Sequence, residues 1–242
     1  MIPRIFIDQT LSTDLQITLD QDQYHYLINV LRLKEGTKIK IFNFKDGEFL
    51  AEIESCKSKK IILSNLQFSK TPHASKELWL AFSLIKHDPL NFMLEKVTEL
   101  GVTHIQPIIT DRCNIKSLKI DRWVKNVTAA SEQCERFDIP KILPIINLKQ
   151  LLTNKTKINW VACLERSDSI SCDKVFKFQD IKQDQAYGFI IGPEGGFSDN
   201  ERLFFSSCSN IKIASLGHNI LRAETAAITA IAGIYLHDYK IR

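Results

Sequence analysis

Two glycine-bearing segments near the C-terminus hold residue types and spacings that suit a small polar ligand. The first, Gly192-Pro193-Glu194-Gly195-Gly196-Phe197-Ser198, follows the apolar run Tyr187-Gly188-Phe189-Ile190-Ile191. The second, Leu216-Gly217-His218-Asn219-Ile220-Leu221-Arg222-Ala223-Glu224-Thr225-Ala226, follows Ile211-Lys212-Ile213-Ala214-Ser215. Each reads as a short strand that breaks on glycine and then enters a helix. Such a break leaves main-chain N–H and C=O groups free at the strand end, where a ligand can bond to them.

In the first loop, glycine permits backbone angles and close approaches that a side chain forbids. Ser198 and Glu201 have the S-x-x-E spacing of a capping box, which predicts a helix start there. Two phosphate-binding readings fail. No Gly-Lys-Ser/Thr follows Gly196, and the glycine spacing is not that of a dinucleotide fingerprint at the head of a βαβ unit. A tight turn without a ligand is the competing reading. In the second loop, Arg222, Glu224 and Thr225 crowd the expected helix N-terminus. The helix beyond is apolar on nearly every face from Ala226 to Leu236, and is expected to be buried. Glu224 could pair with a cation or accept N–H bonds, and an internal Arg222–Glu224 contact is the plainer alternative.

The rest of the chain must position these loops. Residues 1–70 alternate in strand-like pieces, Arg4–Ile7, Lys38–Asn43, Glu48–Ile53 and Lys60–Leu63, with Lys45-Asp46-Gly47 as a hairpin turn. A helix from Asp22 to Leu33 is expected among them, with Leu27, Val30 and Leu31 inward. That outline is a small β-barrel. Thr71-Pro72-His73-Ala74-Ser75 reads as a linker. From Leu78 onward the pattern becomes α/β. Leu78–Leu84, His104–Ile109, Trp160–Leu164, Tyr187–Ile191 and Ile211–Ser215 are strand candidates for a parallel sheet. Asp88 is expected to N-cap a helix that Gly101 ends, with Leu90, Met93, Leu94, Val97 and Leu100 as its core stripe. Another helix is expected from Asp121 to Cys134. The predicted domains are 1–70 and 76–242.

Composition constrains partners weakly. A formal charge of +4 is mild, and residues 1–70 hold 10 Lys/Arg against 9 Asp/Glu, so no basic arm stands out. Lys57-Ser58-Lys59-Lys60 is a local basic patch or simply a solvated surface. None of the six cysteines (Cys56, Cys113, Cys134, Cys163, Cys172, Cys208) forms a C-x-x-C pair or sits at zinc-ligand spacing, so no metal is expected. Met1-Ile2-Pro3-Arg4 opens no export signal, and no window approaches the roughly 20 apolar residues of a membrane span. A cytoplasmic protein with reduced thiols is expected.

The segments Ile191–Phe197 and Leu216–Ala226 resemble those of the RsmE family, the bacterial 16S ribosomal RNA (uracil-1498-N3) methyltransferases of the SPOUT class. The resemblance extends over nearly the whole chain. It includes His25-Tyr26-Leu27 with Val30-Leu31-Arg32-Leu33, Glu95-Lys96 with Glu99-Leu100-Gly101-Val102, Asp111-Arg112-Cys113, and Ala129-Ala130-Ser131-Glu132-Gln133-Cys134-Glu135-Arg136. One position departs: the family usually has arginine where this chain has Asn219.

The resemblance implies a PUA-like RNA-binding domain followed by an α/β methyltransferase domain with a deep trefoil knot that includes both loops. It implies S-adenosylmethionine held by Leu164, Ile191, Gly192, Gly196, Leu216, Gly217, Ile220 and Leu221. Arg222 is the first catalytic candidate, because a guanidinium can stabilise the enolate-like charge left on uracil when N3 loses its proton. Glu194 or Glu224 would accept that proton or orient Arg222. Arg4, His25, Arg32, Arg112 and Arg136 are the expected RNA contacts, with a place in a packed core helix as the alternative for His25 and Arg32 and surface ion pairs as the alternative for Arg112 and Arg136. A homodimer acting on 16S rRNA in the small subunit is implied as well. Two readings compete with N3 methylation: a ribose 2′-O-methyltransferase of the same fold, and a non-catalytic RNA-binding assembly factor.

Overall fold

The computed structural model describes residues 2–73, 75–113, 120–154, 157–165, 170–171 and 185–240; Ala74 of the expected linker and Cys172 lie outside them. The chain forms two compact units. The first comprises Met1–Ala74 with Ser131–Asp138, and the second Ser75–Ala130 with Ile139–Arg242.

In the first unit, β1 (Arg4–Phe6), β2 (Ile17–Leu19), β3 (Lys38–Asn43), β4 (Gly47–Lys57) and β5 (Lys60–Lys70) form one sheet in the order β1-β3-β4-β5-β2. Register shifts between β4 and β5 add bulges that increase twist and curl the sheet into a half-barrel. Its concave face buries Ile5, Ile17, Leu19, Ile39, Ile41, Ile53, Ile61 and Leu63. The hairpin turn forms where the sequence places it, Asn43 opposite Gly47, with Gly47 at φ +98°. β2 escapes the sequence reading because three residues are too few to show alternation.

The expected first helix is shorter and differently wound. Asp20 and Gln23 make a capping box for α1 (Gln21–Tyr24), which passes directly into a π-helical turn, His25–Val30. Widening to a π-turn rotates the face of the helix. Leu27 stays buried, but Val30 is 56% and Leu31 37% exposed, which corrects the expectation that both face inward.

Arg4 anchors this unit rather than lying at its surface. It is 7% exposed, its guanidinium sits 3.3 Å over the Phe42 ring, and its Nε donates to Glu48 Oε2 at 2.8 Å. Its Nη1 donates to the carbonyl oxygens of Ser131 and Arg136. Glu132 accepts the Phe6 amide, while burial pushes its carboxyl pKa up. These contacts make Ser131–Asp138 part of the first unit.

In the second unit, β6 (Leu78–Ser83), β7 (His104–Ile109), β8 (Lys141–Ile142), β10 (Asn159–Cys163), β11 (Ile170–Ser171), β12 (Tyr187–Ile191) and β13 (Ile211–Ser215) run parallel in the order β11-β13-β10-β12-β6-β7-β8. The short β9 (Ile146–Asn147) also pairs with β7. Successive strand residues point to opposite faces and both faces are buried, as a parallel sheet requires. Leu78, Leu80, Phe82 and Phe189 share a core with α2 (His87–Glu99), α3 (Ile120–Gln133) and α6 (Ala223–Lys240). Trp79, Ala81, Trp160 and Ile190 face α4 (Leu148–Asn154) and α5 (Asp199–Ser207) on the other side.

Two helix expectations need correction. Lys86, not Asp88, occupies the N-cap of α2, and Asp88 sits in the first turn, where its charge complements the helix dipole. α6 is not buried all round. Ala223, Ala227, Ala230, Ile231 and Ile234 face the core, whereas Tyr235 is 45% and Leu236 62% exposed. Its many alanines make every face look apolar, so the pattern alone cannot choose the inner one.

Two stability effects follow. Gly188 is paired with Trp79 on one side and Trp160 on the other, and a Cβ there would lie 2.4 Å from the Trp160 ring. Trp160 is 1% exposed and has no room to move, so Gly188→Ala should destabilise the fold by about 1–3 kcal/mol, read as a lower urea midpoint. Asp46 accepts the Leu11 amide and the Asn43 side chain, and these bonds, with Lys45 nearby, lower its carboxyl pKa. A folded value below the unfolded one (about 3.9) gives stability that is complete above the unfolded value and is lost as pH falls through the folded one. Wild type should therefore exceed Asp46→Asn in urea stability at pH 7, with the gap closing below about pH 4.

Candidate active site

Three strand ends build the site. In register, Cys163 of β10 lies opposite Ile191 of β12 and Ala214 of β13, so these strands finish nearly level. The chain leaves β10 for the edge strand β11, crosses to one side of β10 as β12, and then returns on the other side, between β10 and β11, as β13. The order thus reverses at β10. At such a reversal the exits of neighbouring parallel strands diverge and open a crevice at the carboxyl edge, where ligands of α/β sheets bind.

Into this crevice run Leu164–Glu165, the Gly192–Phe197 loop and the Leu216–Arg222 loop, enclosing a cavity of about 200 Å³. Leu164 continues the pairing of β10 by donating its amide to Ala214 O at 2.9 Å. The first loop turns tightly, with Gly196 N on Pro193 O at 2.9 Å and Gly196 at φ +68°. It closes over its own Phe197, which is buried edge-on against Phe205. A Cβ on Gly192 would come within 2.9 Å of the Phe197 ring, so this position serves the close approach of loop to ring. In the second loop Ser215 Oγ bonds to both N and O of Gly217, which stands at φ +135°.

All eight residues named from sequence for the ligand, Leu164, Ile191, Gly192, Gly196, Leu216, Gly217, Ile220 and Leu221, line this one cavity. Arg222 and Glu194 line it too, both exposed toward solvent. Glu224 does not. It occupies the first turn of α6, where a carboxylate is favoured by the helix dipole. Among the described residues no ion pair joins it to Arg222. Instead, the Arg222 carbonyl accepts the Ala226 amide at the start of the helix.

Sequence reasoning missed Cys163, Glu165, Arg202 and Ser215 as lining residues. Arg202, on α5, donates to the Phe197 carbonyl at 3.4 Å, which brings a second guanidinium to the cavity. Its position one turn into a capped helix was the available signal.

The five arginine and histidine positions expected to contact RNA separate clearly. His25 and Arg32 are exposed at the π-helical turn, Arg32 with φ +56°. Arg112 is exposed but donates its Nη1 to Gly195 O at 2.8 Å. Arg4 and Arg136 are 7% and 8% exposed. Arg136 is held by Asp138 through bonds of 3.2 and 2.5 Å, and Arg4 by Glu48, so neither presents a free guanidinium to a phosphate. No cluster of metal-ligating side chains occurs among the described residues, and no helix among them is long and apolar enough to cross a membrane.

The chain matches two family descriptions: an RNA methyltransferase PUA domain over residues 19–64 and an RNA methyltransferase domain over 72–235. It is 37% identical to the ribosomal RNA small subunit methyltransferase E of Rickettsia conorii, over 96% of this chain and 95% of that one. It is 31% identical to the protein of the same name from Buchnera aphidicola, over 97% and 96%. A solved structure of ribosomal RNA small subunit methyltransferase E from Neisseria gonorrhoeae, bound to S-adenosyl methionine, superposes with a TM-score of 0.84 at 28% identity, covering 98% of both chains. With a cavity at the strand-order reversal, two matching domains and relatives similar over their full length, the chain belongs to the ribosomal RNA small subunit methyltransferase E family.

Proposed function

We propose that the cavity binds S-adenosylmethionine and that the protein transfers its methyl group to N3 of a uridine in 16S ribosomal RNA of the small subunit, the equivalent of uracil 1498, giving 3-methyluridine. The observation that carries this proposal is the convergence of eight main-chain-rich loop residues with Arg222 and Glu194 around one cavity, in a chain of this methyltransferase family.

The residues fit such a donor. At Gly196 and Gly217 an added Cβ would meet no protein atom within 4 Å, so the space beside these residues belongs to the cavity and not to internal packing. Their positive φ values turn the main chain along the cavity wall. Leu164, Ile191, Leu216 and Leu221 supply apolar walls suited to an adenine ring.

When bound, the donor supplies an electrophilic methyl group on a sulfonium centre. The protein's task is to hold an extruded uracil with N3 in line with that carbon and to favour loss of the N3 proton. The Arg222 guanidinium stabilises the negative charge that spreads over the flanking carbonyl oxygens. Glu194 accepts the proton or orients Arg222. Glu224, outside the cavity lining, acts on the α6 terminus and not on substrate.

His25 and Arg32 are the RNA contacts retained for the first unit, and Arg112 for the second. A trefoil knot through the two loops, a homodimer and a cytoplasmic place of action belong to the same proposal. The exposed Tyr235 and Leu236 of α6 support the dimer, because burying them against a second copy would remove apolar surface from water.

Labelled S-adenosylmethionine incubated with unmethylated small subunits should place label in 3-methyluridine after digestion to nucleosides. Label in a 2′-O-methyl nucleoside would overturn base methylation. No label, with no calorimetric binding of the donor, would leave an RNA-binding assembly factor. Arg222→Ala should lower kcat on the order of a hundredfold while donor Kd changes little. Gly217→Ala should do the reverse: strain at φ +135° should raise donor Kd on the order of tenfold, measured by calorimetry.

A further inference from the structure

Glu201 is a buried carboxylate, 7% exposed, with both oxygens bonded. Oε2 accepts the Ser198 amide at 2.8 Å, and the Glu201 amide donates back to Ser198 Oγ at 3.2 Å. That half is a capping box and serves α5. The other half does not serve the helix. Oε1 accepts the amide of Asp111 at 3.0 Å, from the segment that leaves β7, across β6 from β12 in the sheet. Ser198 Oγ in turn donates to Asp111 Oδ2.

The next residue adds a second tie, as Arg112 Nη1 donates to Gly195 O at 2.8 Å. The Asp111–Arg112 segment is itself anchored. Cys113 N bonds to Thr110 O, and the Thr110 and Ser83 hydroxyls pair at 2.7 Å in a buried position. Gly195 and Ser198 are therefore both held from β7, and the residues between them, Gly196 and Phe197, line the cavity.

We propose that Glu201, with Asp111 and Ser198, forms a clamp that pre-sets the Gly192–Phe197 loop in the shape that receives S-adenosylmethionine. This rests on the donor site proposed above. These are positioning residues: none of the three lines the cavity. Two facing N–H donors require two acceptor oxygens on one side chain, which only a carboxylate offers there. Glu201→Gln keeps the shape but points an NH2 group at one of the N–H groups. A loop that must order itself on binding loses affinity without any lost ligand contact.

The test uses the full chain, free and with S-adenosylmethionine as the titrant. In ligand-free Glu201→Gln, amide hydrogen exchange at Gly195–Phe197 should accelerate at least tenfold while exchange in α2 and α6 stays as in wild type. Donor Kd should rise about tenfold, with kcat at saturating donor held within about twofold. Ser198→Ala should reproduce both effects and Ser198→Thr, which keeps the hydroxyl, should restore them; this pair serves if Glu201→Gln does not fold. A lowered melting temperature with unchanged loop exchange and unchanged Kd would overturn the clamp and leave a plain helix cap. Faster loop exchange with unchanged Kd would overturn its role in donor binding. If wild type itself binds no S-adenosylmethionine, the donor site fails and the clamp's role fails with it. The exchange data then show separately that this failure came from the site and not from a slack loop.

Discussion

The reversal of strand order at β10 is the constraint on which the site depends. Parallel pairing holds β12 and β13 on its two sides in register, so three chain exits meet at one edge and must diverge to find their helices. The crevice is thus a consequence of topology and is present whatever the loops contain. The loops then adapt it: glycines at positive φ turn the main chain along the cavity wall, and Phe197 closes the floor beneath. A sheet buried on both faces supports these exits rigidly, with Trp79 and Trp160 flanking Gly188 as a close-packed row near the opposite, amino-terminal ends of the strands.

The first unit solves a different problem. Its half-barrel is small, and a small sheet buries too little apolar surface to be held by that alone. Arg4 supplies a second centre, stacked on Phe42, paired with Glu48 and bonded to carbonyls of the 131–138 segment. A buried charge is tolerated only where such partners replace water. The same requirement removes Arg4 and Arg136 from the set of available RNA contacts and leaves His25 and Arg32 at the surface.

Legibility from sequence differed by element for physical reasons. Ser198 and Glu201 could be read as a capping box because that interaction spans three residues and needs no partner elsewhere. The second use of the same carboxylate, on the Asp111 amide, could not, because it joins positions 90 residues apart. The strands Tyr187–Ile191 and Ile211–Ser215 stood out as apolar runs ending near glycine. A 3.6-residue period places Val30 and Leu31 inward, whereas the chain adopts a π-turn there and turns them outward. The inner face of α6 was hidden by alanine, whose small side chain marks neither face.

By itself the sequence determined what depends on neighbours in the chain. That covers the two glycine loops, their flanking strands, the Ser198–Glu201 capping box, the hairpin turn at Asp46, and the change from alternating strands to α/β units. It also named part of the cavity lining, the glycine loops and Arg222 from local pattern and Leu164 through the family resemblance, while Cys163, Glu165, Arg202 and Ser215 came only with the structure. Only the tertiary structure decided which arginines are free. It also decided that Ser131–Asp138 joins the first unit, and that Glu201 reaches a strand exit far away in the chain. Local hydrogen bonds and backbone preferences are fixed by adjacent residues. Burial, and the identity of a distant partner, exist only after the sheet has brought separate segments together.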